Sequence, residues 1–134
     1  MKHIRYLENA EKVARMSNFP RQQVGCVVVY KGKIISTGYN SLKTHPLQKK
    51  YNRVRFKEDG SAESLHAEIH ALSHIRDADI DWSRVFLYIY RPCRSRRCGM
   101  ARPCDSCMKF IKEFGIQNIV YSTDDGFAHE KITY

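Results

Sequence analysis

The chain has 134 residues, 43% apolar and 28% charged, with 23 lysines and arginines against 14 acidic residues and a net charge of +9. That is the size of one domain, residues 1–134, with a real core, and no apolar run approaches the ~20 residues of a membrane helix. The opening MKHIRYLENAEKVARM is amphipathic and carries acids, which suits neither a secretory signal nor a transit peptide, so the expected setting is the cytoplasm, away from membranes.

Ile4, Leu7, Ala10, Val13 and Ala14 fall at helical spacing and predict an amphipathic helix over 3–17, ended by Asn18 to Pro20. VGCVVVY (24–30) and KIISTGY (33–39) flank Lys31-Gly32, the pattern of a hairpin. The first run is apolar throughout, as in a strand buried on both faces. Residues 41–63 have no period and carry Lys43, His45, Lys49, Lys50, Arg53, Arg55 and Lys57, a long basic loop. Ser64, a good N-cap, precedes the helical stripe Leu65, Ile69, Leu72 and Ile75. VFLYIY (85–90) is a buried strand. Phe110, Ile111 and Phe114 mark a helix closed by Gly115, and IQNIVYS (116–122) is a strand that Asp124-Asp125-Gly126 turns out of. The predicted order is α-β-β-α-β-α-β. It implies a three-layer α/β/α sandwich whose mixed sheet has an antiparallel hairpin first and parallel strands after.

Four of the five cysteines lie in CRSRRCGMARPCDSC (93–107), and an odd count in a reducing compartment argues for metal or chemistry over disulfides. Cys93, Cys98, Cys104 and Cys107 are separated by four, five and two residues. A closed four-thiol zinc knot normally pairs two tight knuckles across a longer folded span. It stays open as an alternative. Cys104 and Cys107 sit where a helix should begin, and a helix N-terminus stabilises thiolates. A catalytic zinc then needs a third protein ligand and a water. His66 opens the preceding helix, and in successive parallel β-α units both helix starts lie at one edge of the sheet. His66 can therefore meet Cys104 and Cys107. Glu68, two residues on, is placed to take a proton from the water. His70 and His74 lie deeper along the helix and are expected to be packing or surface residues.

His66-Ala67-Glu68 followed by Pro103-Cys104-Asp105-Ser106-Cys107 resembles the H-x-E…P-C-x-x-C pattern of the zinc-dependent cytidine deaminase superfamily. Ser36-Thr37-Gly38-Tyr39-Asn40 resembles the S/T-x-G-x-N segment of its deoxycytidylate branch. The resemblance covers most of residues 1–126. It departs from the usual pattern between Tyr90 and the motif, where residues 91–101 are inserted. The extra length places Arg91, Arg94, Arg96, Arg97 and Arg102 beside the metal.

The resemblance implies one catalytic zinc on His66, Cys104 and Cys107, Glu68 as general acid/base, and hydrolytic deamination of a cytosine nucleotide, dCMP to dUMP. Asn40, Ala67, Tyr90, Arg94, Arg96, Arg97 and Arg102 are the substrate-binding candidates, the arginines for the 5′-phosphate. The expected partner is a small nucleotide, and a homo-oligomer is expected. Net charge and Tyr39, Tyr51 and Tyr90 also admit a second enzyme reading, deamination of tRNA adenosine or of cytosine in single strands. A non-catalytic zinc module binding nucleic acid is the third, and Glu68 speaks against it.

Overall fold

A computed structural model describes residues 2–18, 22–41, 66–92 and 99–133. The elements in chain order are α1 (Lys2–Ala14), β1 (Gly25–Tyr30), β2 (Lys33–Tyr39), α2 (Ala67–Ser73), β3 (Phe86–Tyr90), α3 (Asp105–Phe114), β4 (Asn118–Thr123) and β5 (Gly126–Lys131). A 3-10 turn, Trp82–Arg84, leads into β3. The strands form one sheet in the order β2-β1-β3-β4-β5. β1 runs antiparallel to both β2 and β3, and β3 is parallel to β4.

Period-2 alternation along the central strands sorts the core into two layers. Val27 and Val29 of β1, Tyr88 and Tyr90 of β3 and Val120 of β4 pack with Tyr6, Leu7 and Ala10 of α1. Cys26, Val28, Leu87, Ile89 and Ile119 face the other way, onto α2 and α3. The expected α/β/α sandwich is therefore present, and β1 is buried along nearly its whole length, as its composition implied.

Three expectations need correction. α1 ends at Ala14, not 17; Arg15 and Met16 follow as a turn, and Ile4 stays 40% exposed while Tyr6 takes a buried place. α2 starts at Ala67 with His66 as N-cap; Ser64, the expected cap, lies outside the described residues. Most importantly, the chain does not leave the sheet after Asp124-Asp125-Gly126. It turns back as β5, antiparallel to β4, so the parallel part of the sheet is the β3–β4 pair.

Two local features fix α2. The Lys31-Gly32 turn has positive φ at both positions (51° and 76°), the geometry that suits a two-residue hairpin. β2 thereby returns along β1 and points the same way as β3. At Gly38 the absence of a side chain lets α2 lie directly on β2, with the backbone of Ala67 and Ala71 against it. Ser36 Oγ donates to Ala71 O at 2.7 Å, and His70 Nδ1 lies 3.1 Å from both the backbone N and O of Tyr39. His70 is thus a packing residue, as expected.

Candidate metal centre and active site

β2 and β3 point in one direction, so the helices that follow them begin at the same edge of the sheet. His66 and Cys104 are the N-caps of α2 and α3, both with extended backbone, and neither side chain caps its own helix. The two side chains turn toward each other instead. His66 Nδ1 lies 3.3 Å from Cys107 Sγ and 3.6 Å from Cys104 Sγ, and the three donor atoms fall within 4.8 Å of one another. Among the described residues this is the group of metal-capable side chains that converges.

The donor set fits zinc. With Zn–S near 2.3 Å and Zn–N near 2.0–2.1 Å, the N···S edge of a tetrahedral site is about 3.5 Å, which the two distances bracket. One nitrogen and two sulfurs leave a fourth position open. The Cys104 thiol is already prepared as a ligand. The Cys107 thiol beside it, helped by His66 and opposed by burial, brings its pKa down to about 3. Asp105 in the first turn of α3 suits the helix dipole.

Glu68 is 5% exposed in the first turn of α2. Burial pushes its carboxyl up to about 7; Cys104 adds to the rise, while His66 and a hydrogen bond with Cys107 oppose it. A carboxyl poised there can both accept and return a proton near neutrality. On the same face of the sheet lies Cys26 of β1, fully buried, whose thiol is pushed up by burial and by the Glu68 charge. Ala67 is buried between the two motif residues.

The other candidates are placed as follows. Asn40 is 8% exposed just past β2, and its amide braces the segment before β1: Nδ2 donates to Gln22 O at 2.6 Å and Oδ1 accepts from Val24 N at 2.8 Å. Ser17 Oγ donates to Asn40 O. Tyr90 packs in the layer under α1, across the sheet from His66 and the two cysteines, so the structure does not bring it to the metal ligands. Arg102 makes a two-pronged pair with Glu130 of β5, at 2.9 and 3.0 Å, and Tyr121 Oη donates to the same carboxylate. Arg94, Arg96 and Arg97, with Cys93 and Cys98, lie outside the described residues, as does the basic loop beyond Ser41.

Sequence reasoning missed Ser122. This buried β4 serine holds both ends of the inserted segment: its hydroxyl accepts from Arg91 N at 3.0 Å and donates to Gly99 O at 2.6 Å. Arg91 and Gly99 also pair directly. The described ends of the insertion are therefore joined to each other and to β4. Only its location at the end of a strand facing the insertion could have signalled this role.

The chain belongs to the family defined by the cytidine and deoxycytidylate deaminase zinc-binding region, whose model matches residues 1–123. Deoxycytidylate deaminase of Mus musculus is 24% identical over 90% of this chain and 64% of its own length; that of Homo sapiens is 24% identical over 83% and 58%. The chain thus spans less than two thirds of the curated relatives it matches. Among solved structures, the dCMP deaminase of cyanophage S-TIM5 in complex with dCMP and dUMP is 26% identical, covering 90% of this chain and 79% of that one with a TM-score of 0.61. A cytidine deaminase from Burkholderia pseudomallei shares the fold at 17% identity, covering 98% and 93% with a TM-score of 0.66.

Proposed function

We propose that this chain deaminates a cytosine nucleotide hydrolytically, dCMP to dUMP with release of ammonia, as one domain over 1–134 within a cytoplasmic homo-oligomer. The observation that carries the proposal is Glu68, buried two residues from His66 and beside three converging zinc donors. Relatives named deoxycytidylate deaminases, and a solved relative holding dCMP and dUMP, support the substrate.

Zinc, when bound, supplies a water that loses its proton near neutral pH and can add to C4 of the base. Glu68 would take that proton and pass it to the adjacent ring nitrogen, then take the proton of the hydroxyl now on C4 and deliver it to the amino group, which departs as ammonia and leaves a carbonyl. Asn40 retains a second amide N–H beyond the one committed to Gln22, and we assign it to the nucleotide sugar. Arg102 is held by Glu130, so phosphate recognition is assigned first to Arg94, Arg96 and Arg97.

The test is ammonia release by zinc-loaded protein from dCMP, CMP, cytidine, guanine, single-stranded DNA and tRNA. dCMP should be turned over fastest. Faster reaction on single strands or tRNA at physiological salt would overturn the substrate assignment. No release from any of them, with zinc fully bound, would leave a binding module.

A further inference from the structure

A second surface of the chain has no part in the proposed chemistry. A cleft of about 330 Å³ lies between α1 and the β4–β5 turn, on the α1 side of the sheet. Ile4, Leu7 and Phe127 wall it, and Glu8, Asp124 and Asp125 stand at its rim. Ile4 and Phe127 are 40% and 38% exposed, high for large apolar side chains. Among the described residues Glu8 and Asp125 make no ion pair, whereas nearby Glu11 is engaged by Arg15.

The β1–β2 hairpin tip has the complementary chemistry. Lys31, Gly32, Lys33 and Ile34 are all exposed, Ile34 to 41%. Tyr6 Oη donates to Gly32 O at 2.9 Å, which fixes the tip in one shape before any partner arrives. Of the five exposed large apolar residues described, three fall on these two surfaces. Copies that each carry +9 repel one another over most of their area. An acidic, apolar-walled cleft is where a lysine-flanked isoleucine is attracted instead.

We infer that copies of this chain join by inserting the 31–34 hairpin tip of one into the cleft beside α1 of the next. This names surfaces for the homo-oligomer proposed above and rests on that reading alone, not on the metal or the substrate. The two lysines meet the rim carboxylates, and Ile34 meets Ile4 and Phe127. Such a contact joins different surfaces on the two copies.

Sedimentation velocity on the zinc-loaded protein, with circular dichroism to check folding, tests the contact by charge swap. Lys31→Glu/Lys33→Glu gives a chain whose tip and cleft are both acidic; Glu8→Lys/Asp125→Lys gives one in which both are basic. Each alone should self-associate at least tenfold more weakly than the unaltered chain. An equimolar mixture should recover association, since each tip then finds a cleft of opposite charge. An unaltered chain that stays monomeric at all concentrations would sink both the homo-oligomer and this contact. Assembly that neither variant weakens, or a mixture no tighter than its parents, would sink the contact alone.

Discussion

Replacing Gly38 by alanine tests whether the approach of α2 to β2 sets the metal centre. The added Cβ would stand 2.7 Å from Ala67 O, 2.8 Å from Ala71 Cα and nearer still to Ala71 N. All three are helix backbone, so no rotamer change relieves the clash. Restoring 3.4 Å at Ala67 O alone, from 2.7 Å, moves α2 by 0.7 Å. Overpacking of this kind costs about 1–3 kcal/mol, and the upper end applies where backbone must shift. For a chain of this size ~3 kcal/mol is a Tm loss of roughly 10 °C. His66 and Glu68 travel with α2, and a displacement near 1 Å at a reacting group costs about 100-fold in kcat/KM. Calorimetry, zinc competition against a chelator and steady-state kinetics measure the three effects. Gly32→Ala is the comparison: it meets nothing within 4 Å but has φ +76°, so it should cost about 1 kcal/mol and leave zinc affinity intact. A Gly38→Ala protein with the parent's Tm and zinc affinity would refute the reasoning.

Metal analysis should find one zinc per chain, lost in His66→Ala, Cys104→Ser or Cys107→Ser and retained in Cys93→Ser and Cys98→Ser; a second equivalent sensitive to Cys93 would restore the four-thiol knot. Glu68→Gln should keep zinc and fold while turnover falls by about three orders of magnitude or more, in line with the loss of general acid/base assistance; near-parental turnover would remove Glu68 from the chemistry. In metal-free protein the same substitution has a pH signature. The folded carboxyl lies at about 7, above its ordinary 4.5, so its contribution to stability is full below 4.5 and lost as pH rises through 7. Glu68→Gln should therefore match the parent near pH 4.5 and exceed it at pH 8, by on the order of 3 kcal/mol at most; urea unfolding at both values decides it. Finally, one of Arg94, Arg96 and Arg97 should dominate: its loss should raise KM for dCMP strongly and barely alter cytidine, whereas equal small losses with steep salt dependence would indicate a bound strand.

The metal site was legible because its signals are local and its assembly is topological. His66, Cys104 and Cys107 are helix-start residues, and strand direction alone decides that two helix starts share an edge. Glu68 followed from standing two residues after His66. Where the sequence misled, the determinant was a long-range choice. β5 was missed because Phe127, Ala128, His129, Glu130 and Lys131 form an edge strand with little apolar content, and only pairing with β4 makes it one. Missing β5 hid Glu130, and with it the partner of Arg102. VFLYIY reads as a buried strand, but a run that is apolar throughout does not say which of Leu87, Tyr88, Ile89 and Tyr90 face α1. Asn40 was singled out by type and place, yet its hold on Gln22 and Val24 depends on how the chain enters β1.

Cys26 offers a way to time the breathing of this core. Its sulfur is fully enclosed, and its thiol is held in the unreactive protonated form. With Cys104 and Cys107 engaged by metal and Cys93 and Cys98 replaced by serine, a thiol reagent can modify Cys26 only when β1 parts from the helices above it. At high reagent concentration the labelling rate becomes the opening rate, and at low concentration it reports the open population. One atom under Glu68 thus measures how often the floor of the site comes apart, without a probe being introduced.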